Sequence, residues 1–269
     1  MPANWETRDT SSTFTFDKTF WVNDGHLRCT SEQKDTIIEA IEEARGLTNQ
    51  VIKALSAIYA EKSPAYLTWF GKENSTPEMR KSILEHNFRS LLRNLRRPEL
   101  AIKINGEGSP VPSPATAKSL IYACDPAKPD GNVLASTLSI NSVIQSPDPT
   151  YVLFNDNFFT ARRARTLQEV AKQWKDVPYR KANFDTRSLT LIHEFQHMYR
   201  ATGPDRYCTD VRDPAYKTIS RGCYSIYCCR SLPDNKKIVN AENFAFIAAY
   251  IYTWPETAKI SSKYRLRPW

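Results

Sequence analysis

The chain has 269 residues, 41% hydrophobic and 25% charged, the balance of an ordinary globular protein with material for one large domain or two lobes. No run of eighteen apolar residues occurs, which excludes an apolar membrane-spanning helix. The net charge of +8 is scattered, with only short clusters at Arg89–Arg97 (helically spaced) and Arg162–Arg165, so nucleic acid is not an expected partner.

Residues 1–28 are polar and aromatic and read as an N-terminal arm, with Thr13–Phe16 and Phe20–Val22 as short strands or ordered coil. The start, Met-Pro-Ala-Asn-Trp, lacks a basic stretch and apolar core, so the expectation is either an intracellular chain or a mature form. Thr30-Ser-Glu-Gln33 has the form of a capping box, and apolar residues from Ile37 to Ile58 recur behind it at helical intervals. A second helix is predicted from Thr76-Pro77, carrying Met79, Ile83, Phe88, Leu91 and Leu92. Strands are predicted at Glu99–Ile104, Ser119–Cys124, within Gly131–Ile144 and at Thr150–Phe154, with a proline-rich turn at Gly108–Pro114. Helices follow at Leu167–Trp174, Thr186–Arg200 and Ile238–Thr253. Helices, then a small sheet, then helices indicate an α+β fold rather than βαβ alternation, with residues 29–269 as one domain.

The six cysteines contain no Cys-x-x-Cys pair, which argues against a zinc ribbon. Four fall within Cys208–Cys229, and an even count suits an oxidised, secreted protein. Asn74-Ser75-Thr76 would be a glycan acceptor in that setting.

The chemistry is concentrated in His193-Glu194-Phe195-Gln196-His197. Histidines at i and i+4 project from one helix face and can share a zinc ion, while the intervening glutamate reaches a water without ligating. Three fixed letters are a weak match alone. Here, however, two of only four histidines fall in the motif, and Leu189, Leu191, Ile192, Phe195 and Met198 should anchor its helix in a core. His26 and His86 have no partner at ligand spacing and read as structural or solvent-facing. A catalytic zinc needs a third protein ligand and an open fourth position. No third histidine follows His197, leaving Asp205, Asp210, Asp213, Asp234, Glu242 and Glu256 as candidates. Glu242 is favoured because it begins the final helix, whose packing would hold it rigid; a glutamate stabilised there by the helix dipole is the plain alternative.

These residues resemble the deuterolysins and peptidyl-lysine metalloendopeptidases, together the aspzincins. His193–His197 fits that family's zinc helix, Asp213-Pro-Ala-Tyr216 its Asp-x-x-Tyr segment and Asn240-Ala-Glu242-Asn-Phe244 its Asn-Ala-Asp segment. Tyr66–Gly71, Val152–Phe159 and Cys29 match further family features. The resemblance implies a zincin-like fold with long N-terminal helices, a small mixed sheet, an active-site helix and a C-terminal helix. It also implies a secreted zinc endopeptidase acting on polypeptides; a monomer is expected. By position, His193, His197 and Glu242 would bind Zn2+, Glu194 would be general acid and base, Asp213 would hold the water or a neighbouring ligand, and Tyr216 would stabilise the oxyanion. A Cys29–Cys124 disulfide is likewise implied. The chain departs from the family in having Glu for Asp at 242 and Lys217 after Tyr216, and in lacking the Gly-Thr lead before Asp213. Asp205 is therefore a rival to Asp213. The second functional reading is a secreted zinc-binding protein (antigen, zincophore or effector) that has lost turnover.

Overall fold

Thr30 opens the first helix as a capping box should. Its hydroxyl accepts from Gln33 N at 3.2 Å, and its own N–H donates to Gln33 Oε1 at 2.8 Å. In this computed structural model, which describes residues 15–104, 110–111, 118–125, 135–139, 149–160, 166–176, 186–203, 205–215 and 222–260, that helix is α1 (Ser31–Leu55). Ile37, Ile41, Ala44, Leu47, Val51 and Leu55 form its buried stripe. α2 (Pro64–Phe70) follows. Thr76 then caps α3 (Pro77–Ser82) by accepting from Met79 N at 3.1 Å. α3 runs on through a π-helical turn, Ile83–Arg89, into α4 (Ser90–Asn94), so the second helix expected from Thr76 exists with one widened turn.

Six strands form one mixed sheet: β1 (Lys18–Val22), β2 (Leu100–Ile104), β3 (Pro110–Val111), β4 (Ser119–Cys124), β5 (Ala135–Ser139) and β6 (Thr150–Phe154), in the order β3-β2-β1-β4-β6-β5. β2, β1, β4 and β6 are parallel, and antiparallel strands close both edges. Side chains alternate across it. Trp21, Leu120, Tyr122, Val152 and Phe154 join the large core under the helices, whereas Phe20, Val22, Ile121, Ala123, Tyr151 and Leu153 form a smaller cluster on the other face. The class is α+β, as the element order indicated.

The stretch read as an arm, residues 1–28, contains β1. β1 lies inside the sheet between β2 and β4, because Phe20 and Val22 are apolar on one face and Trp21 on the other, the pattern of a strand buried on both sides. The Thr13–Phe16 strand expectation lies largely outside the described residues.

The remaining helices are α5 (Asp156–Phe159), α6 (Leu167–Asp176), α7 (Arg187–Gln196), α8 (Tyr199–Thr202), α9 (Ile226–Ser231), α10 (Asp234–Lys237) and α11 (Ala241–Thr253). α11 is buried along nearly all its circumference, with only Glu242 and Tyr252 short of full burial. It packs on α1, α2 and α7, and Phe244 meets Phe70 and Phe88 at centroid distances of 5.0 and 5.8 Å. A Cys29–Cys124 disulfide joins the entrance of α1 to the end of β4, the pairing the resemblance implied, and a second links Cys223 to Cys228. Cys208 and Cys229 are buried free thiols. No helix among the described residues is long and apolar enough to cross a membrane.

Asn74 does not suit the glycan role. It is 8% exposed, and its amide nitrogen donates to Phe70 O at 2.7 Å and Asp234 O at 2.8 Å. That nitrogen is already committed inside the folded protein.

Candidate metal centre

Thr186 caps α7 by accepting from Leu189 N at 3.2 Å, and the helix buries Leu189, Leu191, Ile192 and Phe195. Regular helix stops at His197, the C-cap residue, and Met198 turns extended (φ −89°, ψ 107°). The second histidine therefore still lies one turn beyond the first. The two rings meet edge to face with centroids 4.7 Å apart, and their Nε2 atoms are 3.0 Å apart.

The outer nitrogens fix what the inner ones present. His197 Nδ1 lies 3.0 Å from Cys208 O, and a carbonyl only accepts, so the ring proton sits on Nδ1. His193 Nδ1 lies 2.7 Å from Glu242 Oε2, a second acceptor-only partner when ionised. Both rings accordingly turn Nε2 lone pairs inward. Asp210 Oδ1 faces them, 3.3 Å from each Nε2. Three electron-rich atoms this close repel unless a positive charge lies among them. Burial alone would lower the His193 pKa, but contacts with Asp210 and Glu242 override it and raise the value well above ordinary. Conversely, burial would raise the Asp210 carboxyl, but His193 and His197 hold it well below the usual range.

The donor set fits zinc. Atoms each about 2.05 Å from a tetrahedral ion lie ~3.3 Å apart. The observed separations are 3.0, 3.3 and 3.3 Å. His193, His197 and Asp210 are the grouping of ligand atoms with metal-site spacing found among the described residues.

Asp210 is held by long-range hydrogen bonds. Thr209 pairs with Asn240 as a parallel bridge, through Thr209 N to Val239 O at 2.9 Å and Ala241 N to Thr209 O at 3.2 Å. Asn240 leaves its own helix uncapped and spends its side chain here, with Oδ1 accepting from Val211 N at 3.1 Å and Nδ2 lying 2.8 Å from Asn243 Oδ1. Val211 O takes the N–H of Cys223, which brings the next residue, Tyr224, across the site. Tyr224 donates to Asp210 Oδ2 at 2.8 Å, with its ring 5.8 Å from that of His193. Partial burial, and then the Asp210 charge, push this phenol far above its ordinary pKa, so it stays a neutral donor.

Glu194 is 6% exposed, and its Oε2 accepts from Thr137 Oγ1 of β5 at 2.8 Å. It acts electrostatically on both His193 and Tyr224.

The structure thus brings His193, Glu194 and His197 together as the motif anticipated, and distributes the acids differently. Glu242, expected to complete the ligand set, stands behind His193 on the Nδ1 side, because α11 begins behind that ring. The carboxylate on the shared Nε2 side is that of Asp210. Asp213 accepts from Ala215 N at 2.9 Å in an exposed turn and is outside the ligand grouping. Tyr216 lies outside the described residues. Asp205 is exposed, and Asp234 is engaged by Glu73 N and Lys237. The sequence reading passed over Thr137 and Tyr224. Neither carries a local signal, since each acts on a residue at least 14 positions away.

No family model matches the chain, and no curated protein matches it. Among solved structures it is similar to a zinc peptidase from Grifola frondosa, at 17% identity and a TM-score of 0.49, over 82% of this chain and 96% of that one. A likeness that shallow carries no weight for residue roles, which rest on the geometry above.

Proposed function

We propose that this chain is a secreted, zincin-like zinc endopeptidase. The observation that carries the reading is the inward-facing triangle of His193 Nε2, His197 Nε2 and Asp210 Oδ1, with a glutamate beside it that is not part of the triangle. His193, His197 and Asp210 hold Zn2+, and Glu242 orients His193 through Nδ1. Bound there, zinc supplies a Lewis acid that acidifies water and polarises a peptide carbonyl. Glu194 takes the proton from the attacking water and delivers it to the leaving amine. Tyr224, taking the role that the resemblance gave to Tyr216, turns its one hydroxyl proton from Asp210 Oδ2 toward the negative oxygen that develops on the carbonyl. A buried Glu194 that stands outside the ligand grouping favours turnover over simple metal storage. Two disulfides support an oxidising, extracellular setting.

Metal analysis of the purified chain, paired with casein cleavage with and without chelator, tests this. One zinc per chain and cleavage that chelator abolishes and zinc restores are expected. Stoichiometric zinc without cleavage would favour the non-enzymatic zinc-binding reading, and a chain that binds no zinc overturns both.

A further inference from the structure

Among the described residues β5 is an edge strand, paired with β6 on one side only, with Thr137 opposite Val152. Its Thr137 hydroxyl crosses to α7 and meets one residue twice, 2.8 Å from Glu194 Oε2 and 3.1 Å from Glu194 O. A hydroxyl has one proton to give. The carboxylate oxygen is the nearer acceptor and, ionised, the stronger one, so it takes the proton. This matters because carboxylates are themselves good zinc ligands. Glu194 follows one ligand directly and precedes the other by three residues, on a side chain with three rotatable bonds. Released, it is free to fill the open coordination position that the chemistry requires.

We infer that Thr137 is a positioning residue, holding one Glu194 oxygen so that the carboxylate stays off the metal and in line for proton transfer. The inference rests on the zinc-peptidase reading. The methyl of Thr137 has no part in this; the hydroxyl does. Thr137→Val keeps the β-branched shape and removes the donor, whereas Thr137→Ser keeps the donor.

The test uses the full chain and two readouts. In a peptidase assay, Thr137→Val should lower kcat by about tenfold to a hundredfold, the scale of one hydrogen bond to a charged group, with KM changed less than about threefold. Thr137→Ser should recover to within about threefold of the parent, a smaller loss than one such bond. In chelator competition with zinc alone, Thr137→Val should bind zinc several-fold more tightly, and adding Glu194→Gln should remove that gain. Equal impairment of the Ser and Val variants would mean that Thr137 only packs, and would overturn the inference. Unchanged zinc affinity in Thr137→Val would overturn it too. If the parent binds zinc but cleaves nothing, the peptidase reading fails, and the affinity arm alone decides whether Thr137 restrains Glu194.

Discussion

Two parts of the candidate centre are built on different principles. His193, Glu194 and His197 take their positions from one buried helix, so their relative geometry follows from a 3.6-residue period. Among the described residues, Asp210 and Tyr224 lie outside the named helices and strands, held by the Thr209–Asn240 bridge, the Asn240 side chain and the backbone bond from Cys223 to Val211. The helical half is rigid by propagation, the connecting half by a few separate ties. One substitution distant in sequence should therefore disturb the second half far more than the first.

The largest effect should come from breaking the triangle at its non-helical corner. Asp210→Asn keeps shape and a hydrogen-bond acceptor but loses the charge, and is expected to lower zinc affinity at least as severely as His197→Ala, by about a hundredfold or more for a lost ligand. Equilibrium dialysis against zinc checks this. If Asp210→Asn binds as the parent does while Asp213→Asn fails, the connecting segment has been misassigned and Asp213 recovers the role. Next in size, Glu194→Gln should retain stoichiometric zinc and lose about a hundredfold to ten-thousandfold in kcat. Full casein cleavage by that variant would remove Glu194 from the chemistry.

The same division explains what could be read from the sequence. The capping box at Thr30, the Thr76 cap, β4 and β6 were legible because each is a local pattern of hydroxyls, prolines or alternating side chains. The helix of His193 and His197 was legible through its spacing. β1 was not placed in the sheet, because five residues near the chain start do not reveal partners some 80 and 100 positions away. Asp213-Pro-Ala-Tyr216 drew attention because it satisfies a short pattern, whereas the pair that meets across the site, Asp210 and Tyr224, is 14 residues apart. Asn240-Ala-Glu242 was singled out through the resemblance. Its effects fall one shell outward, with Asn240 on the Asp210 segment and Glu242 on the outer nitrogen of His193.

That outward placement gives a third, smaller expectation. Glu242→Gln leaves an acceptor near His193 Nδ1 but removes its charge, and loss of such a support should weaken zinc binding by about tenfold to a hundredfold. A loss as large as that of Asp210→Asn would restore Glu242 as a direct ligand, and no loss would leave the carboxylate without function.

The smallest effect tests the finest tie. A Cβ added at Gly222 would stand 2.4 Å from Tyr224 Cζ and 2.7 Å from its hydroxyl oxygen, so the phenol reaches Asp210 only by lying over a residue with no side chain. Gly222 does not have the positive φ that would itself strain an alanine. Because Tyr224 is 49% exposed, its ring has room to swing outward. Gly222→Ala should therefore fold normally and displace the phenol, costing zinc affinity about threefold to tenfold, the scale of one hydrogen bond. Tyr224→Phe should match it in zinc affinity, since both remove the same contact to Asp210, and the double variant should be no worse than either alone. Additive losses would show that Gly222 shapes the Asp210 connection through its backbone, and that the tyrosine is not what the glycine makes room for.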